Sequence, residues 1–293
     1  MTIQHRTERA SSRPMPAGIY ALDLARLALF ASTSASQVAV IRMVAANGPE
    51  ARAGAAGGKP SQIAVIPLHG VLTSRSSDSW YSSSRGMDSV RAELAQAAAD
   101  PSVSTIVLSI DSPGGSVSGT PETAQAVRDA AAQKGVIAIA DTLAASAAYW
   151  IGSQASRFVV APSADVGSIG VVAMHQDVSE MYRSFGVNVS VVSAGKYKTE
   201  LYPFGPLSDE GRAALQSSVD DSYAGFIKAV AEGRKTTQAI VRGGFGEGRT
   251  VSASSAVALG MADAVMTMED LLGSLGAGRT VRAVKRRSAL AFA

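Results

Sequence analysis

"VSTIVLSIDSPGGSVSGTPETAQAVRDAAAQKGVIAIAD", residues 103–141, contains a complete strand–loop–helix–strand unit. VSTIVLSID is an apolar, β-branched run of the kind found in a buried strand. SPGGSVSG is a glycine loop. TPETAQAVRDAAAQKG opens with a Thr-Pro helix start, carries Glu122 in its first turn and stops at Gly135. VIAIAD is a second apolar strand. Two such strands joined by a helix are expected to run parallel.

The same alternation continues outward in both directions. Upstream lie IAVIPLHGVL, an apolar strand with a turn, and MDSVRAELAQAAADP, with helical spacing up to Pro101. Downstream, LAASAAYWIGSQAS reads as a helix, RFVVAP as a strand, VGSIG as a glycine turn and VVAM as an apolar run. DVSEMYRSFG is helical, VNVSVVSAG alternates as a strand, and SDEGRAALQSSVDDSYAGFIKAVAEGRK is a long amphipathic helix. TVSASSAVALGMADAV closes the pattern with a helix, a glycine and a strand. Strands alternating with helices of about 10–15 residues imply an α/β fold, a mostly parallel sheet flanked by helices. Sites in such folds sit at the carboxyl ends of strands. There is no solenoid repeat.

Residues 1–60 read as an N-terminal appendage and linker. They hold two short helix-like stretches (18–31 and 36–46) before the Gly/Ala-rich ARAGAAGGKPSQ (51–62), a flexible connector. Residues 61–275 form the main domain and 276–293 a basic tail. The net charge of +3 is unevenly spread: residues 1–60 carry +4, residues 279–293 carry +5, and the body between them carries −6. A basic tail can meet nucleic acid or an acidic protein surface. A solvated tail explains the same charge, and nucleic acid is not the expected partner. The chain has no cysteine, which excludes disulfides, thiol catalysis and cysteine-ligated metal sites. No segment approaches the ~18 apolar residues needed to span a bilayer, so no transmembrane anchor is expected. The polar start MTIQHRTERASSRP is not followed by a signal-peptide core. The expected compartment is the cytoplasm.

Four features bear chemistry. Ser146, in TLAASAAYW, opens a helix just after a strand, where free helix N–H groups gather. Taken alone it is more readily a packing residue than a nucleophile. The backbone N–H of Ala147 would point where an oxyanion develops. The second feature is DSPGGSV: Pro113 fixes a turn and two glycines admit a close backbone approach, so the N–H of Gly115 is a second oxyanion donor. Neither GxxxxGK[ST] nor GxGxxG is present, so this is not a phosphate loop, and no cofactor is expected. The third feature is a base. His175 follows Ser146 by 29 residues, His69 sits in a strand turn and His5 in the tail. Lys196 and Lys198, in SAGKYKTELYP, follow a strand, and a lysine made neutral by burial can also take a proton. The fourth feature is DVGSIG, whose Ser168 can hydrogen-bond a lysine amine.

In this order the motifs IAVIPLHGVL, DPSVSTIVLSIDSPGGSV, AASAAYWIGSQASRFVVAPSADVGSIGVV, SAGKYKTELYPFGPLSDE and GRTVSASSAVALGMADAV resemble the signal peptide peptidase A-like serine peptidases. Within that family they are most similar to the bacteriophage head-maturation, or capsid, protease branch. The resemblance spans Ile63 to Leu272 and implies a Clp-peptidase/crotonase-like fold of ββα units. It implies a serine endopeptidase with a Ser–Lys dyad: Ser146 as nucleophile, Lys198 as general base, Ser168 orienting the lysine. Gly115 and Ala147 match the oxyanion positions. An extended substrate is expected to pair with the strand edge at Gly114, Ser116 and Val117. The related Clp peptidases use a histidine that would fall near Ser168 and Ile169, about six residues before His175, so Lys198 is preferred. The implied substrate is a scaffold or capsid polypeptide, including the chain's own termini. The implied state is a homo-oligomer, in host cytoplasm or an assembling prohead. No metal is implied. Family members in cell envelopes carry an N-terminal anchor that is not seen here, and the long scaffolding segment of some phage relatives is also missing. Two other readings remain: a cellular peptidase degrading membrane-derived peptides, and a crotonase-like acyl-CoA enzyme.

Overall fold

The structure, a computed structural model, describes residues 19–22, 39–42, 62–76 and 84–276. Strands β1 (Ile19–Leu22) and β2 (Ala39–Arg42) come first. The apolar motif IAVIPLHGVL then forms β3 (Gln62–His69) and β4 (Val71–Thr73), bent apart at Gly70, where φ is 73°. β5 (Ser84–Gly86) leads into α1 (Met87–Ala99). The unit on which the sequence reading turned follows: β6 (Val103–Ser112), β7 (Gly114–Ser116), α2 (Thr120–Gln133) and β8 (Gly135–Ala145). Pro121 sits in the first turn of α2, as its missing N–H permits.

Next come α3 (Ala147–Gly152), β9 (Arg157–Val160), β10 (Asp165–Gly167), β11 (Val172–Ala173) and α4 (Ser179–Ser184). The long amphipathic run is α5 (Asp209–Gly233), capped by the Ser208 hydroxyl accepting from the Gly211 amide at 3.0 Å. α6 (Gln238–Gly244), β12 (Thr250–Ser252), α7 (Ala253–Leu259), β13 (Ala264–Val265) and α8 (Met268–Gly276) follow as the last of the described elements.

The larger sheet runs β12-β10-β8-β6-β3-β2, with β9 also beside β8 and β13 beside β9. Its centre is parallel: β3 with β6, β6 with β8, and β8 with both β9 and β10. Among the described strands only β2 and β12 pair with it antiparallel. The α/β class and mostly parallel sheet expected from the alternation are what the chain adopts. β6 explains the apolar run: Ile106, Leu108 and Ile110 face the main core, and Val107 faces a second cluster with Ile63, Ile137, Ile139, Val159 and Leu271. Helices cover both faces. Each fully buried aliphatic side chain there contributes about 1.5–3 kcal/mol. Trp150 of α3 stacks on Phe226 of α5, with ring centroids 4.6 Å apart, and ties the helix after Ser146 to the long helix.

The smaller sheet runs β11-β1-β7-β4-β5. It draws short strands from distant parts of the chain and lies at the carboxyl end of β6.

Four sequence expectations are corrected. Residues 19–22 and 39–42 are strands, not parts of helices, because each finds an open strand edge to pair with. The rest of 18–31 and 36–46, the linker 51–61 and the tail from 277 lie outside the described residues. Leu143–Ala145 belong to β8 rather than to a helix, since they pair in parallel with Asp165–Gly167 of β10. The alternating stretch 187–195 is not a strand within this chain, which offers it no neighbouring strand among the described residues. α6 and α8 were not foreseen; α8 is amphipathic and buries Leu271.

Candidate active site

Ser146 stands where β8 ends and α3 begins. Its backbone has φ 54° and ψ −121°, a region that residues with a side chain rarely adopt. Hydrogen bonds on either side hold it there. The Ser146 amide donates to the Gly167 carbonyl at 2.7 Å, and the Ser146 carbonyl accepts from the Trp150 amide at 2.9 Å. Such a strained strand-to-helix turn is how α/β hydrolases present a nucleophilic serine. The Ser146 hydroxyl is 1% exposed as a residue and points to the Gly170 carbonyl at 3.5 Å. Ala147 is the first residue of α3, so its N–H has no intrahelical acceptor.

The glycine loop is a short strand, not an irregular turn. Gly114 has φ 96°, which favours glycine. Gly115 needs to be glycine for space: a Cβ there would lie 1.9 Å from the Leu72 carbonyl oxygen of β4. Ser112, fully buried, braces this strand. Its hydroxyl donates to the Gly70 carbonyl at 2.6 Å and accepts from the Gly114 amide at 3.1 Å. The sequence reading did not single out Ser112, although it sits inside the quoted SPGG motif. Ser116 and Val117 are half-buried, and Val117 packs on the main core.

Ser168 also has a positive φ, 53°, and its amide donates to the Arg249 carbonyl at 2.8 Å. The two strained serines are linked through Gly167, whose carbonyl holds Ser146 and which directly precedes Ser168. Gly170, unmarked in the sequence reading, receives the Ser146 hydroxyl.

Lys198 lies exposed in a turn, with its amide donating to the Gly195 carbonyl at 3.1 Å. Among the described residues neither Lys198 nor Ser168 makes a side-chain hydrogen bond. The surrounding stretch is exposed and apolar: Phe185 is 78% and Val192 97% accessible. Lys196 rests over the Tyr197 ring at 4.6 Å. His175 is not at a helix start; its Nε2 lies 3.1 Å from the Tyr202 carbonyl, which can only accept, and not at Ser146. The structure thus brings Ser146, Ala147, Ser168 and the Gly114–Gly115 strand to one end of the sheet, while Lys198 stands exposed in its turn.

A second polar cluster occupies the opposite face. His69 Nε2 is 3.1 Å from the Ser109 hydroxyl, which donates to Asp141 at 2.7 Å. Burial pushes the His69 pKa down, aided by Arg85 and opposed by Asp111 and Asp141. Burial pushes Asp141 up, against the Ser109 hydrogen bond and His69. No cluster of three metal-ligating side chains occurs among the described residues, and no helix among them is long and apolar enough to cross a membrane.

Comparison with known proteins places these features in a family. The capsid assembly protease C of Escherichia phage lambda is 32% identical over 211 residues, covering 72% of this chain and 48% of that protein. The head-tail preconnector protein of Enterobacteria phage P21 is 31% identical over 211 residues, covering 72% and 42%. The chain spans about half the length of these curated relatives. A mutant of the 1510-N membrane-bound stomatin-specific protease superposes with a TM-score of 0.47 at 16% identity, covering 71% of this chain and 82% of that one. Residues 128–282, which include Ser146, Ser168 and Lys198, match peptidase family S49, and the chain belongs to that family.

Proposed function

We propose that the chain is a serine endopeptidase that cleaves scaffold or capsid polypeptides during phage head maturation. One observation carries the reading: Ser146 is held in a strained strand-to-helix turn beside two glycine-rich backbone segments, inside the region that matches the peptidase family. The similarity to a phage capsid assembly protease and a phage head-tail preconnector protein supports the setting.

In this mechanism the Ser146 Oγ attacks the scissile carbonyl carbon and gives its proton to the neutral Lys198 Nζ. The carbonyl oxygen becomes an oxyanion held by the N–H groups of Gly115 and Ala147, each worth about 3 kcal/mol in such sites. The C–N bond breaks, the leaving nitrogen takes the proton from Lys198, and water then releases the acyl group by the reverse steps. Ser168 orients the lysine amine, and Gly114, Ser116 and Val117 line the substrate.

A lysine becomes a base only where burial disfavours its charge. The reading therefore requires the exposed apolar stretch around Lys198 to be covered by further copies of the chain. The exposure of Phe185, Val187, Val192 and Tyr197 supports such a homo-oligomer. Co-expression with a candidate scaffold protein tests the proposal. Ser146→Ala and Lys198→Ala are expected to abolish its cleavage while remaining folded. Undiminished cleavage by Lys198→Ala refutes the dyad.

A further inference from the structure

In the smaller sheet, β7 and β11 do not bond to each other; β1 lies between them. It pairs antiparallel on both sides. Tyr20, Ala21 and Leu22 register with Ser116, Gly115 and Gly114, while Ile19 and Tyr20 register with Ala173 and Val172. Removing β1 would leave two facing, unpaired strand edges about 10 Å apart, twice the spacing of neighbouring strands. That gap is the width of one extended chain, and facing edges of this kind recognise polypeptide through its backbone.

The slot runs past Ser146. One wall is the strand bearing Gly115. The other begins two residues beyond Gly170, whose carbonyl receives the Ser146 hydroxyl. Continuing the β1–β11 register by two residues sets Leu22 opposite Gly170, and Leu22 already stands opposite Gly114. The described part of the N-terminal segment therefore lies where an extended substrate would have to lie, with its carboxyl end nearest the serine. The 1% exposure of Ser146 fits a site that is filled.

We propose that Ile19–Leu22 is a built-in occupant of the polypeptide-reading slot, which closes the site until another extended segment displaces it. This rests on the reading of Ser146 as nucleophile and extends it to the regulation of that site. The occupant also reports what the slot takes: an uncharged strand with an aliphatic residue nearest Ser146.

The test uses the full chain with Ala21→Pro. Proline has no N–H and is poorly tolerated between two strands, so it should expel β1 while leaving the walls untouched. Two measurements are made. The first is amide hydrogen exchange at 114–116 and 172–173 in the Ser146→Ala background. The second is the rate at which a fluorophosphonate probe labels Ser146 in the wild-type and Ala21→Pro chains. We expect Ala21→Pro to lose exchange protection at both walls. We also expect labelling to be faster by roughly tenfold, as for a site that is open about a tenth of the time in the wild type. The synthetic peptide AGIYALDLAR, residues 17–26, should slow labelling of Ala21→Pro back toward the wild-type rate, and a scrambled peptide should not. Unchanged exchange, or unchanged labelling of a reactive Ser146, overturns the proposal. Lost exchange protection with no labelling of Ser146 in any variant supports the strand in its slot and instead overturns the peptidase reading.

Discussion

Gly115→Ala gives the sharpest test of how the site is built. Gly115 is buried and its φ is not in the left-handed region, so backbone strain does not forbid a side chain there; space does. The new Cβ would fall 1.9 Å from the Leu72 carbonyl oxygen, 2.6 Å from its carbon and 2.7 Å from its nitrogen. Real Cβ contacts essentially never come below 3.0 Å, so β4 and β7 must part by at least about 1 Å. The obstacle is backbone, which has no rotamer to escape into. A shift of about 1 Å at a reacting centre costs roughly 100-fold, and loss of one oxyanion donor roughly 100- to 1,000-fold. The expected result is a fall in kcat/KM of at least about 100-fold on a peptide substrate. The larger sheet shares none of this contact, so stability should fall by only about 1–3 kcal/mol, as for other overpacked sites. Steady-state kinetics beside urea unfolding measures both. A Gly115→Ala protein within threefold of wild-type kcat/KM would show that the Gly115 amide does not hold the oxyanion.

Three further outcomes are expected. Ser146→Gly should abolish cleavage and raise stability by about 1 kcal/mol, because glycine relaxes the positive φ; a destabilised variant in urea unfolding contradicts the strain argument. Because burial holds the His69 pKa below 6.5, its stabilising effect is present above that pH and is lost as pH falls toward the lowered value. Asp141, raised by burial, acts in the opposite direction and loses stability as pH rises. Unfolding free energies between about pH 7.5 and 5 should therefore decline less steeply in His69→Gln than in the wild type, and identical slopes refute this. Val192→Glu, at a side chain that is 97% exposed, should leave single-chain stability within about 0.5 kcal/mol, as surface changes usually do. It should nevertheless cut activity and particle size by light scattering; normal size with normal activity contradicts the assembly requirement.

The sequence reading succeeded where local pattern and tertiary environment agree. The 103–141 unit was legible because its apolar runs are buried on both faces and its helix carries ordinary start and stop residues. The boundary at Leu143–Ala145 was not, because small alanines suit a helix as well as a strand wedged between close neighbours. The stretch 187–195 has the period of a strand but lacks a partner strand among the described residues, so its alternation goes unused there. Ser146 and the two glycines stand just after strands, as their sequence positions suggested. Gly170 and Ser112 escaped notice because their roles arise from contacts made across the fold. β1 escaped for the same reason: four residues with no strong strand signature become a strand only because two edges flank them.

The smaller sheet is made of strands of four, three, three, three and two residues, while β3, β6 and β8 have eight, ten and eleven. Such short ladders close long chain loops for few hydrogen bonds. Regions held by few hydrogen bonds and little buried apolar surface open locally at lower free energy than a core. A newly made chain is therefore expected to complete its larger sheet before its smaller one. The strand edge that carries Gly115 is then the last part of the fold to assemble and the first to come apart.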